Sequence, residues 1–539
     1  MVVSIVLDTE YMGVSERNKW FLKVVSNAMK EDTLIVTHSY FKDHLKEVVE
    51  GCENRFYDEF EMDRVLVEDI NKLDICYIPD EWFDTIYEEA GSRSKQLIYL
   101  YNNNVYKIEK YIELCIDNAL EKRKELKPDF IFNSLHVFEF VRAISSHYDC
   151  PIIPWVFSAI RKVHGYSQTL YMAHIDDNLF NSKACETMLS CAKSQDLGYQ
   201  LLSKKEIIAL LGKRHNMVLL PLLSREGIYD VGVVGEGYHI TPEIYQHDNV
   251  TDDDLYYECK KLFESGSIIT RQHPMQLDKI GIGRKHMKND PAAFILSSKR
   301  VITVQSQMIV KAALWNRAPV VMGNALPYSC LLNKNLEDAI PINDYKMNFL
   351  LFAYFVPNTC MFSTEYWKWR MNNPSITDII ARHLDSILCN LSIPKSILQS
   401  KEDRIEKILQ HRGFGTDEIE SILTERNADD VPFDYPTSCL RSVDSKGNTK
   451  SLYALNHKNN GTIHSTFQLP ADTLNCEFIP QFDLDGYITV QSIKIANEEI
   501  PVVKYEHYYN KNECVISNNI NQKQSCQFEA KWTVRSYDS

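Results

Sequence analysis

The chain has 539 residues, 44% hydrophobic and 24% charged, with a formal net charge of −14. That length exceeds one ordinary core and predicts two to four domains. The acidity argues against a nucleic-acid binder, because phosphate neutralisation needs clustered Lys and Arg.

The 14 cysteines are scattered, with no C-x-x-C pair and no Cys/His spacing suited to structural zinc. The first ten residues lack a basic region followed by a long apolar stretch, so no secretory signal is expected. The most apolar segment, Phe349 to Val356, is far short of the roughly 20 residues that span a bilayer. The expectation is a cytoplasmic protein with free thiols and no membrane span. Peripheral attachment at the inner face of the inner membrane stays open.

Along the chain, Ser4 to Leu7 reads as a short strand ending at Asp8-Thr9-Glu10-Tyr11, followed by a helical stretch from Glu16 to Met29. Thr33 to Thr37, Ile75 to Ile78, Asp129 to Phe132 and Pro151 to Phe157 read as further strands. A long charged helix is expected from Ser94 to Leu126. Apolar runs alternating with amphipathic helices predict a parallel α/β sheet, here a first doubly wound domain over 1–195.

The pattern restarts after Asp196. Ser203 to Leu211 reads as a helix. Met217 to Leu223, Ser267 to Thr270 and Val301 to Val304 read as strands, each running into a polar cluster: Ser224-Arg225-Glu226 and on to Asp230; Arg271-Gln272-His273-Pro274; and Gln305-Ser306-Gln307. Thr251 to Gly266 and Ser306 to Asn316 read as helices, and Ala318 to Met322 as another strand. This is a second α/β domain, over 196–380. Tyr345 to Arg370 is expected to be helical and to pack across both domains. A helical connector over 381–436 holds two short helices between Ser400 and Arg426, broken at Arg412-Gly413-Phe414-Gly415. Asp429 to Pro436 reads as a linker. Alternating segments after Pro436, with a hairpin signal at Asp485-Gly486, predict a β-sandwich module over 437–539.

In parallel sheets ligands bind outside the carboxyl ends of the strands, so the three polar clusters describe one crevice. Pro274 biases His273 toward an extended backbone. From a strand end its imidazole could donate to a phosphate, with Arg271 adding charge on the same face. Ser306 is expected to be a helix N-cap, and the N–H of Gln307 would join it in an anion site. Asp230 and Glu236 lie in a glycine-containing stretch, Arg225 to His239, expected to be an irregular loop at the cleft; either carboxylate could be a nucleophile or a base. Asp8 and Glu10 end the first strand and could bind acceptor hydroxyls or act as base, or could cap the next helix. Arg161, His164 and Tyr166 mix cations with aromatic groups and would suit an acidic or phosphorylated acceptor. No G-x-G-x-x-G opens a helix after a strand, and no phosphate-loop pattern occurs. Asp252-Asp253-Asp254 reads as a helix cap. No metal and no cofactor are expected; histidine, arginine and helix N-termini can stabilise a leaving phosphate alone.

The series from Pro221 through His273-Pro274, Val301–Ser306, Lys311-Ala312-Ala313-Leu314-Trp315 and Pro319-Val320-Val321-Met322-Gly323 resembles the donor domain of GT-B glycosyltransferases. It is most similar to bacterial capsule and lipopolysaccharide transferases that use CMP-activated ulosonic acids, such as the Kdo transferases. The resemblance is best over Met217 to Pro327. It implies a GT-B-like pair of Rossmann-type domains, a CMP-Kdo donor held by His273 and Ser306, and a glycan or lipid-linked glycan acceptor. It also implies a cleft carboxylate as nucleophile, placed here on Asp230. One departure stands out: Gln305-Ser306-Gln307 occupies the place of the family's paired Ser-Ser or Ser-Thr. A UDP- or GDP-hexose transferase, a GT-B-like sugar-nucleotide epimerase and a glycan-binding scaffold remain the alternatives.

Overall fold

The computed structural model describes residues 1–7, 14–52, 57, 60–91, 93–134, 136–176, 178–179, 182–193, 201–235, 250, 252–271, 285–286, 291–323, 326–399, 402–424, 437–446, 449–459, 462–479, 486–500, 507–508, 516–519 and 525–536. The first lobe is built on Val2–Val6 (β1), Thr33–His38 (β2), Asp74–Ile78 (β3), Phe130–Ser134 (β4), Ile152–Phe157 (β5) and Leu170–Ala173 (β6). The first five strands are parallel in the order β3-β2-β1-β4-β5, and β6 joins β5 antiparallel. This is a doubly wound order with its switch point between β1 and β4.

The period-2 pleat explains why both faces are covered. Val2 and Val6 pack with Ile35, Phe130, Phe132 and Phe21 of the helix Val14–Ala28. Val3 and Ile5 point the other way. They pack with Leu34, Val36 and Ile108, Ile112 and Ile116 of the helix Tyr106–Arg123. Those three isoleucines recur every fourth residue and are fully buried. Each contributes roughly 1.5–3 kcal/mol relative to exposure. The long helix expected from Ser94 is two, Arg93–Asn102 and Tyr106–Arg123, separated at Asn103–Val105.

The second lobe repeats the plan with Tyr229–Val234 (β7), Ile268–Arg271 (β8), Lys285–His286 (β9), Ser298–Thr303 (β10) and Ala318–Val321 (β11). All are parallel, in the order β9-β8-β7-β10-β11. Two expectations are corrected here. Met217 to Leu223 is no strand; it holds the end of the helix Arg214–Met217 and a 3₁₀ turn, Leu220–Leu222. Its leucines and Pro221 lack the β-branched content that favours a strand. The lobe's first strand is instead β7, inside the stretch expected to be a loop.

The segment expected to be one helix, Tyr345 to Arg370, is also corrected. A short helix Asp344–Phe349 and a π-turn Leu350–Tyr354 lead into Phe355–Pro357 (β12), which pairs antiparallel with β6. The chain thus returns from the second lobe and adds the edge strand of the first sheet, with helices Thr364–Met371 and Ile376–Asn390 following. Helices Arg404–His411 and Thr416–Leu423 complete the connector and flank the expected break.

The C-terminal module is antiparallel: Thr437–Asp444 (β13), Thr449–Asn459 (β14), Thr462–Leu469 (β15), Thr473–Ile479 (β16), Gly486–Ile495 (β17), Glu498–Ile500 (β18), His507–Tyr508 (β19), Ile516–Asn519 (β20) and Cys526–Ser536 (β21). β14 pairs with β13 through its first part and with β15 through its last. Phe478 of β16 and Phe528 of β21 meet with ring centroids 5.8 Å apart. The two strands stand four ladder positions apart in sheet order, about 19 Å if the sheet were flat. The sheet therefore folds back on itself around an interior of Phe467, Phe478, Phe528 and Trp532.

Candidate functional site

The turn after β10 is locked to its neighbours by hydroxyls. Thr303 Oγ1 donates to Val234 O of β7 (3.3 Å), and the N–H of Ser306 donates to Thr303 Oγ1 (3.1 Å). Ser306 Oγ accepts from Met308 N at 3.3 Å, which caps the helix Met308–Leu314. The helix starts later and is shorter than expected, and the N-cap position falls on Gln307 rather than Ser306, a one-residue offset. Gln305 and Gln307 flank Ser306 half-buried. Their amide oxygens are sealed from solvent and make no hydrogen bond among the described residues. Buried acceptors are normally paired, so the two stand out among the described residues.

Arg271 ends β8, is 7% exposed, and accepts from Gly235 N through its carbonyl (2.8 Å). Gln272, His273, Pro274, Glu236, Asp8 and Glu10 lie outside the described residues. Asp230 does not lie on a cleft loop. It is the second residue of β7, at the end opposite the polar turns, and its Oδ1 takes a 3.0 Å ion pair from Lys299 of β10. Burial would raise its carboxyl, but Lys299, Ser267 and Arg300 outweigh this and hold it below the usual carboxylate range. A charge-paired carboxylate at the amino edge cannot reach a crevice at the carboxyl edge, roughly four residues or 13 Å along the strand.

The Arg161–Tyr166 segment follows β5 and meets the second lobe. Arg161 Nε donates to Ser158 O at 2.8 Å, with its guanidinium over the Phe157 ring. His164 is exposed. Yet the packed protein beside its ring, then Lys311 and Arg161, hold its imidazole neutral, below the usual histidine range. Tyr166 is corrected as an acceptor residue: it is 1% exposed and bridges to Gly212 within the core between the lobes. Lys311, on the helix after Ser306, is 7% exposed and lies 5.8 Å from the centre of the Tyr166 ring. The structure thus brings together Arg161, His164 and the helix behind Ser306. The sequence shows Lys311 only as part of the run Lys311–Trp315; its place against Tyr166 depends on lobe packing, which no local pattern encodes.

Glu61 was also missed. It closes a helical turn with φ 51°, and Met62 N reaches Tyr57 O at 2.9 Å, the cap in which glycine is usual. Its side chain accounts for the exception. Oε2 accepts from Thr169 N (3.1 Å) and Oε1 lies 3.6 Å from Lys162 Nζ. Burial raises its carboxyl against the pull of Lys162 and Lys23. Lys23, fully buried, donates to Glu61 O (3.0 Å) and Asn358 Oδ1 (2.8 Å), and burial pushes its amine down to about 7. This network ties β5, β6 and β12 together at their shared edge.

Among the described residues no group of three or more His, Cys, Asp or Glu side chains could hold a metal ion. No helix among them is long and apolar enough to cross a membrane. No protein-family model matches the chain, and no curated protein does. Among solved structures it is similar to a Thermosulfurimonas dismutans KpsC, beta Kdo 2,4 transferase, at 11% identity over 42% of this chain and 81% of that one, TM-score 0.29. A beta Kdo 2,7 transferase KpsC of the same organism matches at 10% identity over 48% and 90%, TM-score 0.29. A Methanocaldococcus jannaschii UDP-GlcNAc 2-epimerase matches at 12% identity over 65% and 98%, TM-score 0.27. Likenesses this slight add nothing to what the strand order of the two lobes already establishes: two doubly wound sheets in one chain, the second parallel throughout and the first parallel but for β6 and β12.

Proposed function

We propose that the chain is a glycosyltransferase of the two-lobed GT-B kind. The second lobe holds a nucleotide-sugar and the first holds a glycan acceptor. The observation that carries this reading is the turn after β10. There Gln305 and Gln307 present buried amide oxygens that make no hydrogen bond among the described residues, and Lys311, on the helix that follows, packs on Tyr166 of the other lobe. Acceptor atoms suit the hydroxyls and amines of a sugar or base, and the nearby cations Lys311, Arg161 and Arg271 suit its phosphate. The resemblance at Val301–Ser306 and Pro319–Gly323 favours CMP-activated Kdo or a related ulosonic acid as donor, with a bacterial surface glycan as acceptor.

In this reading His273 and Ser306 support the donor phosphate and nucleotide. Asp8, Glu10 and Glu236 are the carboxylates available for acceptor binding or catalysis. Closing the cleft excludes water and limits donor hydrolysis.

The test is thermal stabilisation of the purified chain by CMP, UDP and GDP, followed by assay of CMP-Kdo with a short Kdo oligosaccharide. Stabilisation by CMP together with CMP release and an extended glycan is the expected result. Stabilisation by UDP or GDP alone would move the donor to a hexose nucleotide. Conversion of donor without acceptor would make the chain an epimerase.

A further inference from the structure

Two cysteines meet where the lobes join. Cys185 lies on Ser182–Lys193, the first helix after β6, along which the chain leaves the first lobe. Cys330 lies in the 3₁₀ turn Ser329–Leu331, which follows β11 of the second lobe. Asn333 fixes this turn to its own sheet: its N–H donates to Pro319 O, and Val321 N donates to its carbonyl, both at 3.0 Å. On the other side Tyr328 packs on Phe355 of β12, with ring centroids 5.7 Å apart. The turn thus touches the returning strand, while Cys185 sits on the outgoing helix.

The two sulfurs are hydrogen-bonded at 3.6 Å. The remaining distance to a disulfide bond of about 2.05 Å is small enough for side-chain rotation to close. Their surroundings differ. Cys185 is fully buried, and Cys330 is half-buried. The hydrogen bond from Cys185 holds the Cys330 thiol below the ordinary range, with help from Lys346 and against burial and Glu186. Lys346 is fixed at the turn, its Nζ donating to Leu331 O at 3.3 Å. The same hydrogen bond, together with burial, pushes Cys185 the other way. Elsewhere burial pushes the thiols of Cys150 and Cys259 up to about 11 and about 12. The thiolate is the nucleophile toward peroxides, so solvent access and a lowered thiol single out Cys330. Cys76 and Cys115 also share a hydrogen bond. Both belong to the first lobe, so joining them would tie β3 only to the helix Tyr106–Arg123.

We propose that Cys330 is a peroxide-reactive cysteine and Cys185 its resolving partner, closing a reversible disulfide at the junction of the lobes. This chemistry does not depend on the transferase reading. The Cys330 thiolate attacks one oxygen of hydrogen peroxide and the O–O bond breaks. The leaving oxygen takes the electron pair and a proton from solvent, and Cys330 becomes a sulfenic acid. The Cys185 sulfur then attacks the Cys330 sulfur. An S–S bond forms, and the sulfenic oxygen leaves as water with the Cys185 proton. Two thiols are oxidised, and one peroxide is reduced to two waters. The bond joins residues 145 positions apart in the chain, a long loop whose closure restricts the unfolded chain.

The experiment treats the full chain with hydrogen peroxide, blocks the remaining thiols with N-ethylmaleimide and maps the peptides by mass spectrometry. The expected product is a crosslink of Cys185 to Cys330, two hydrogens lighter than the separate thiols and reversed by dithiothreitol. Cys185→Ala should stop the reaction at the sulfenic acid, trapped on Cys330 by dimedone. Cys330→Ser should leave Cys185 unmodified under the same exposure. The crosslinked chain should melt a few degrees above the reduced chain. No crosslink in the parent chain, or one between Cys76 and Cys115 alone, would overturn the site. Dimedone on Cys185 in Cys330→Ser would overturn the order of attack. A melting temperature that the crosslink leaves unchanged would show that the bond does not tie the lobes.

Discussion

Three histidines shielded by packing, His174 and His383 buried and His136 half-buried, set the response to acid. Burial pushes the imidazoles of His136 and His174 down to about 4 and that of His383 down to about 3. The unfolded chain takes up their protons near the ordinary value of about 6.5, while the folded chain does not. Stability is therefore complete above that pH and falls as pH drops through it toward the folded values, by up to a few kcal/mol per residue. The urea midpoint should be lower at pH 5 than at pH 7.5, and the difference should shrink in His383→Gln. Equal midpoints in the parent chain would contradict neutral burial. At Ser306 the expected cost of alanine is about 1 kcal/mol, from the lost bond to Met308 N. Stabilisation by CMP should weaken as well, measured as the thermal shift. These residue-level roles were partly legible. Ser306 and Arg161 stood in polar turns after apolar runs. The packing of Lys311 on Tyr166 was not, because it joins side chains from different lobes.

Elements with dense β-branched or aromatic apolar runs, such as β1, β2, β5, β10 and β11, were readable from sequence because burial on both faces leaves little room for polar residues. β7 was hidden by Asp230 and Gly232. Gly232 is needed for packing: a Cβ there would come within 2.5 Å of Ser298 Oγ and 2.8 Å of the Phe294 ring. β12 was hidden because a three-residue strand is too short to show any period. A glycine also governs the junction between lobes. Gly165 has φ 86°, and its carbonyl accepts from Lys213 N (2.8 Å) and Asn216 Nδ2 (2.7 Å). An added Cβ would lie 2.5 Å from His215 Nε2. Gly165→Ala should lower the melting temperature by several degrees, a loss of about 1–3 kcal/mol. An unchanged melting temperature would show that the segment can move away at no cost.

On the scale of the whole chain, the β module has an interior of its own. Its buried residues, from Leu440 to Trp532, form a cluster that includes no residue of the lobes. Removing 437–539 should leave the melting of 1–436 within about a degree of the full chain; a large drop would mean the module supports the lobes. Cys185, on the helix Ser182–Lys193, has its sulfur 3.6 Å from that of Cys330 in the turn Ser329–Leu331. Peroxide should join them, two thiols and one peroxide giving a disulfide and two waters, read by non-reducing mass spectrometry. Two thiols still free after treatment would contradict the spacing.

The return of the backbone through β12 has a mechanical result. Polypeptide leaves the first lobe once and re-enters it once, so the halves are tied at two points rather than one. A single tether would let one half swivel freely against the other. Two tethers restrict any such rotation to the line between them, and the side chains buried where the halves meet, Tyr166 among them, oppose it further.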